Sequence, residues 1–207
     1  MLGIVRHPGA FREFLTLPEA NLHVVPDSIT TEEAVFVEPL AAACEILDQA
    51  SIPDESEVAV LGDGKLGLLI AEVLKARNKR VHLYGRHKER AIVQKRLPRA
   101  AYDWVVEATG SAGGLGQAIA MTRPRGTIFM KSTIHGTTLL DAAPVIVNEL
   151  TLIGSRCGRF EPAIELLQSR KVSVAGLISD TLPLSRAPRA FARAAERGVL
   201  KVLLDAR

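Results

Sequence analysis

Val58-Ala59-Val60-Leu61-Gly62-Asp63-Gly64-Lys65-Leu66-Gly67 decides how this chain is read. Four apolar residues run into three glycines spaced G-x-G-x-x-G, and Leu66, Leu69, Ile70, Val73 and Leu74 fall on one helical stripe of Lys65–Lys79. A short buried strand, a glycine turn and an amphipathic helix suit a dinucleotide. The first glycine (Gly62) permits the tight turn, the second (Gly64) lets a pyrophosphate approach the backbone, and the third (Gly67) lets helix and strand pack closely. The phosphates then meet N–H groups at the positive end of the helix. Three glycines alone also make a plain turn; the flanking strand and helix carry the cofactor reading. Asp63 is discordant, a negative charge at a place meant for anions, and Lys65 is the cation that offsets it.

Working outward, Val81–Tyr84, Trp104–Ala108, Thr127–Met130 and Leu150–Ile153 read as further strands, with a helix over Gly114–Met121. Apolar strands separated by helices predict a parallel sheet covered on both faces, a Rossmann-type doubly wound α/β fold. Only about 19 residues separate Tyr84 from Trp104, against roughly 30 for a complete βαβ unit. That leaves room for one short helix, Lys88–Arg96, and predicts that a strand and its helix are missing or strongly reduced. Upstream, Ala10–Leu17 and Asn21–Val25 read as strands, Thr30-Thr31-Glu32-Glu33 as a helix start and Pro39–Gln49 as a helix. Downstream, Glu161–Ser169 and Arg186–Arg197 read as helices, the second capped by Ser185 and stopped by Gly198, with a last strand in Val199–Asp205.

Composition narrows the function classes. Hydrophobic residues make up 47% of the 207 and charged residues 24%, which excludes wholesale disorder. Lys+Arg 26 against Asp+Glu 23, without a basic block, argues against a nucleic-acid partner. No apolar run reaches the ~18–20 residues of a membrane span, and the N-terminus lacks the apolar region of a secretory signal. The two cysteines, Cys44 and Cys157, exclude a disulfide scaffold and a Cys-only zinc site. A reduced, cytoplasmic compartment is the expectation.

Cofactor choice is read where the second strand ends. About 20 residues after the glycine motif an NAD site carries an acid for the ribose 2′-hydroxyl. Tyr84-Gly85-Arg86-His87-Lys88 holds no acid. Gly85 leaves room for a 2′-phosphate and Arg86 can grip it in a bidentate fork, so NADP(H) is expected over NAD(H). For His87 and Lys88 a solvated basic loop is the competing reading. Tyr84 and Lys88 spell the Y-x-x-x-K pair of short-chain dehydrogenases, but at the adenosine end, far from where that chemistry belongs; the match is set aside.

Taken together, several phrases resemble the zinc-dependent medium-chain alcohol dehydrogenase family, in its sorbitol, threonine and glucose dehydrogenase branch. They are Gly9-Ala10-Phe11-Arg12-Glu13-Phe14, Val25-Pro26-Asp27-Ser28, Val37-Glu38-Pro39-Leu40, Val106-Glu107-Ala108-Thr109-Gly110, Arg125-Gly126 and Gly198-Val199-Leu200-Lys201-Val202. The resemblance implies residues 1–43 as part of a GroES-like β-rich substrate domain, 44–157 as the dinucleotide domain and 158–207 as a return to the substrate domain. It implies Gly62, Gly64, Lys65, Leu66 and Gly67 at the pyrophosphate, and Gly85 and Arg86 at the selecting position. Thr109 and Gly110 would lie against adenosine and ribose. Ser132, Thr133, Ser155, Arg156 and Cys157 would line the nicotinamide, with Lys201 near the phosphates. Glu38 matches a glutamate that can ligate the catalytic zinc. Each has a plainer alternative: Glu38 as a helix-start acid, Thr109-Gly110 as a strand-end turn, Cys157 as a small buried residue, Arg156 as an ion-pair residue, Lys201 as surface charge.

The implied activity is hydride transfer between a secondary alcohol or polyol, or its carbonyl, and the nicotinamide, assisted by zinc. The family's other zinc ligands, a cysteine and a Gly-His-Glu motif, do not occur, and His7 and His23 do not replace them by motif. No catalytic residue is assigned. A truncated member, a natural short relative without the metal, and a sequence lacking some residues all fit that shortfall. Two other functions stay open: a cofactor-binding module without catalysis, and a zinc-free quinone or enoyl reductase. Leu150–Ser155 is the expected edge strand through which the family's homodimers or homotetramers join.

Overall fold

Continuous apolar runs become strands here because both faces are covered by helices. The computed structural model describes residues 3, 6, 8–87, 93–94, 96–134 and 136–206, with 93 and 94 followed by backbone only. In chain order its elements are α1 (Thr31–Ala34), α2 (Val37–Gln49), β1 (Glu57–Leu61), α3 (Lys65–Ala76), β2 (Arg80–Tyr84), β3 (Val93–Gln94), β4 (Tyr102–Glu107), α4 (Gly114–Met121), β5 (Thr122–Met130), α5 (Ala143–Val147), β6 (Thr151–Gly154), α6 (Phe160–Gln168), β7 (Ile178–Pro183), α7 (Ala187–Ala194) and β8 (Lys201–Asp205).

The main sheet has the order β3-β2-β1-β4-β5-β6, with all neighbours parallel. The chain winds outward from β1 to β3, then returns to β4 on the other side of β1. The switch point therefore lies between the carboxyl ends of β1 and β4, where open α/β sheets bind ligands. Alternate β1 residues face opposite cores. Val58 and Val60 join Leu83, Val106 and Phe129 beneath α2, α3 and α6. Ala59 and Leu61 join Tyr84, Tyr102, Val105, Ile128 and the Ala118, Ile119 and Met121 side of α4. Leu40, Ile46, Leu69, Ile70 and Leu166 are completely or almost completely buried, each contributing about 1.5–3 kcal/mol.

Thr30 starts α1 through a reciprocal capping box with Glu33, as its sequence predicts. β7 and β8 form a separate two-stranded parallel ribbon covered by α7. Among the described residues no helix is long and apolar enough to cross a membrane.

Several expectations are corrected. Ala10–Leu17 and Asn21–Val25 are not strands: among the described residues they have no ladder partner, and Phe14 and Val24 stand 86% and 90% exposed. Their alternating pattern needs a neighbouring backbone that does not lie beside them. The helix expected over Lys88–Arg96 gives way at Val93–Gln94 to a parallel strand on β2; the rest of that stretch, apart from Arg96, lies outside the described residues, as does His7. β5 begins five residues early, with a register shift against β4 and Arg125 at φ +64. Ser185 does not cap α7. It sits in a 3-10 turn, and the residue at the cap, Arg186, makes no side-chain cap bond.

Candidate cofactor-binding site

Five strand ends deliver the expected residues to one edge of the sheet. At the end of β1, Gly62 donates its N–H to the Tyr84 carbonyl at 2.8 Å and adopts φ +122. A β-carbon there would stand 2.3 Å from the Ala108 carbonyl oxygen, and one on Gly67 only 1.8 Å from the Gly62 carbonyl oxygen. Backbone thus packs on backbone at both positions. Gly64 differs: a β-carbon would meet nothing within 4 Å. It is the N-cap of α3 and makes no side-chain cap bond. Lys65, Leu66 and Gly67 follow in the first turn, whose N–H groups have no intrahelical acceptor. A cleft of about 420 Å³ opens here, bordered by Gly62, Asp63, Gly64, Gly85, Arg86 and Thr109. A larger, more open hollow of about 630 Å³ lies around Asp54 and Lys79, at the amino ends of the strands and away from this edge.

Asp63 does not point into the phosphate turn. Its carboxylate is buried against the loop after β2, accepting the His87 backbone N–H at 2.7 Å, with His87 Nδ1 2.9 Å from Oδ2. Burial pushes its pKa up, but the donors of His87 and the Arg86 N–H outweigh that, and the net shift is below the usual carboxylate range. Among the described residues it pairs with the His87 ring and not with the exposed Lys65. The room expected beside Gly85 is also taken: a β-carbon on Gly85 would lie 2.0 Å from Asp63 Cγ. Arg86 is exposed at the rim. Tyr84 is wholly buried, its hydroxyl 2.6 Å from that of Tyr102, and burial raises its pKa above the ordinary tyrosine range. That geometry agrees with setting the Y-x-x-x-K match aside.

At the end of β4 the buried Glu107 organises the neighbouring turns. Its Oε1 accepts from the Thr109 N–H at 2.9 Å, Thr109 Oγ1 at 2.6 Å and Ser132 Oγ at 2.9 Å. Ser132 Oγ in turn accepts the Gly110 N–H at 2.8 Å. Thr109, Gly110 and Ser132 are thereby joined, while Thr133 is exposed beside them.

Lys131 ties the next segments together. Its ammonium donates to the Ala42 carbonyl at 2.6 Å, Ser155 Oγ at 3.0 Å and the Arg156 carbonyl at 3.1 Å. Burial pushes this amine down to about 8. Ser155 is buried, but Arg156 and Cys157 are exposed. The expectation of a buried Cys157 is therefore corrected: it lies beyond the end of β6, and Cys44 is the buried cysteine. Lys201 is half-buried, its Nζ 5.1 Å from the centre of the Phe36 ring. Burial and then Lys65 lower its pKa, whereas Glu38 raises it, so these three charges share one field.

Glu38 is exposed in the first turn of α2, and among the described residues no three His, Cys, Asp or Glu side chains gather to hold a metal. The described residues therefore do not fit a catalytic zinc, which takes three protein ligands. Glu107 and Lys131 were missed as site residues. Their signal was position alone, at the carboxyl ends of apolar strands.

No family model matches the chain. It is 26% identical over 215 residues to D-xylulose reductase A of Aspergillus oryzae, aligning 89% of its own length with 60% of that protein. The alcohol dehydrogenase TADH of Thermus sp. ATN1 superposes with a TM-score of 0.86 at 26% identity, over 96% of this chain and 67% of that one. An NADP-bound dehydrogenase of Sinorhizobium meliloti 1021 gives 0.85 at 21% identity, over 96% and 66%. The chain spans about 60% of the length of the curated relatives it matches.

Proposed function

This chain belongs to the zinc-type medium-chain alcohol dehydrogenase family, and on that premise we propose that it binds NAD(P)(H) at the carboxyl edge of its parallel sheet for hydride transfer between a secondary alcohol or polyol and the corresponding carbonyl. The observation that carries the reading is the glycine turn itself. Gly62 and Gly67 are closed against backbone while Gly64 is left open, at the start of an amphipathic helix. The nucleotide unit is centred on residues 44–157, with the start of α2 and the whole of α6 also covering one face of its sheet, and the rest of segments 1–43 and 158–207 belongs to a substrate domain.

In this reading Gly64, Lys65, Leu66 and Gly67 seat the pyrophosphate, with Lys201 adding charge. Thr109 and Gly110, fixed by Glu107, border the ribose. Ser132, Thr133 and the Ser155–Cys157 segment border the nicotinamide, with Lys131 holding Ser155 and the Arg156 backbone in place. The cofactor supplies the hydride acceptor or donor; the protein orients it and excludes water. Glu38 stands without companion ligands among the described residues, so it does not hold a catalytic zinc by itself. Exposed Arg86 is the residue that would select NADP(H) over NAD(H). The protein works in the cytoplasm on a small-molecule alcohol or carbonyl, and copies pair through β6, which is an edge strand of the sheet.

Titration of the purified chain with NADPH and with NADH, followed by nicotinamide fluorescence, tests the reading. Saturable enhancement with at least one supports it; no binding of either overturns it.

A further inference from the structure

The end of β2 is where a dinucleotide fold places the acid that meets the adenosine ribose. In this chain that position is Gly85, which has no side chain. The space is nevertheless filled. All three heavy atoms nearest to a β-carbon built on Gly85 belong to Asp63: Cγ at 2.0 Å, Cβ at 2.4 Å and Oδ1 at 2.4 Å. The side chain of Asp63, carried by the phosphate turn, thus fills the space in which a strand-end side chain would begin.

We propose that Asp63 is a specificity-determining residue, its carboxylate standing in for the strand-end acid at the adenosine ribose. The inference rests on the cofactor reading above and deepens it. Asp63 borders the cleft together with Gly85 and Arg86. The His87 N–H and ring hold it by Oδ2, so it is positioned as well as charged. Among the described residues that border this end of the cleft, the Asp63 carboxylate at the seat and the Arg86 guanidinium at the rim carry opposite charges. A ribose with a free 2′-hydroxyl offers a donor to a carboxylate, whereas a 2′-phosphate is repelled by it and attracted by the guanidinium. Choice between the two cofactors is then the balance of Asp63 against Arg86, not the work of Arg86 alone.

Relocating the charge tests this. Affinities for NADPH and NADH are measured by fluorescence titration for the wild type, Asp63→Asn, Asp63→Gly and the double variant Asp63→Gly/Gly85→Asp, with thermal melts confirming that each is folded. Removal of the charge is expected to move the affinity ratio toward NADPH by about tenfold, the scale of one charge–charge contact at a partly screened site. The double variant, which puts the carboxylate on the strand end in the space that Asp63 vacates, is expected to move the ratio back. An unchanged ratio in Asp63→Asn and Asp63→Gly, or a shift toward NADH, overturns the inference while leaving the cofactor reading intact. A wild type that binds neither cofactor overturns the cofactor reading itself. If Asp63→Gly does not fold, Asp63→Asn decides alone, because it keeps the shape of the side chain and loses only its charge.

Discussion

Replacing Gly64 and Gly67 by alanine, one at a time, separates fold from binding in a single turn. On Gly67 the new methyl would lie 1.8 Å from the Gly62 carbonyl oxygen. That contact cannot relax by a rotamer change, because the opposing atom is backbone fixed between β1, β2 and β4. The turn would have to open by about 1 Å, at an overpacking cost of about 1–3 kcal/mol. For a chain of this size each kcal/mol lowers the melting temperature by about 2–4 °C. Gly67→Ala is therefore expected to melt roughly 2–12 °C below the wild type. On Gly64 the methyl would meet no protein atom within 4 Å, and the backbone at φ −75 already suits alanine. Reduced freedom of the unfolded chain offsets the weaker cap, so stability should change by less than about 0.5 kcal/mol. The same methyl would stand where a pyrophosphate must approach, so NAD(P)H affinity should fall by at least about tenfold, the ratio that a displacement costing ~1.4 kcal/mol produces. Differential scanning fluorimetry and nicotinamide fluorescence measure the two effects. A Gly64→Ala variant that is both stable and fully able to bind would refute the assignment of the open glycine to the cofactor.

Glu107→Ala strips the shared acceptor from the Thr109 N–H, the Thr109 hydroxyl and the Ser132 hydroxyl; a loss of about 3 kcal/mol in a denaturant titration is expected, whereas Glu107→Gln, which keeps an acceptor oxygen, should lose less than half of that. Cys44 is buried and its thiol is pushed up to about 11, chiefly by that burial, while Cys157 is exposed. Ellman's reagent should therefore titrate one thiol in the native protein and two after denaturation, and two fast native thiols would contradict the packing of α2. Because the folded Tyr84 holds its proton above the pH at which an unfolded tyrosine loses it, stability should be fully present below about pH 10 and decline as pH rises beyond it; equilibrium unfolding at pH 9 and pH 11 checks the sign.

The β1 turn and the parallel sheet were legible because their signals are local. Four consecutive apolar residues, fixed glycine spacing and a helical stripe all fall within Val58–Leu74. The segments that misled lack that self-sufficiency. Asn21–Val25 alternates as a strand does, yet a strand exists only where another backbone pairs with it. Ile178–Pro183 was missed for the opposite reason: it holds Ser179, Asp180 and a terminal proline, and becomes a strand through its pairing with Lys201–Asp205. The meaning of Asp63 could not be read from its neighbours in sequence. Its position beside Gly85 depends on how closely the β1 turn and the β2 loop approach, which a linear pattern does not encode. Glu107 was visible only as part of a phrase, since its three partners come from two separate turns.

The packing of α2 against α6 sets a schedule for folding during synthesis. Arg159, at the start of α6, contacts Asp48 from 111 residues further along the chain. At about 5–20 residues per second, the ribosome reaches that partner roughly 5–20 s after α2 has been made. Through that interval the face carrying Leu40, Ala43 and Ile46, fully buried in the finished protein, can be covered only by the segments made before α6, from β1 to β6, and lacks the cover that Leu166 and Leu167 provide. Nascent chains of this protein should therefore pass through a window of several seconds in which a chaperone that recognises short apolar helices finds its target, and that window closes when Leu166 and Leu167 emerge.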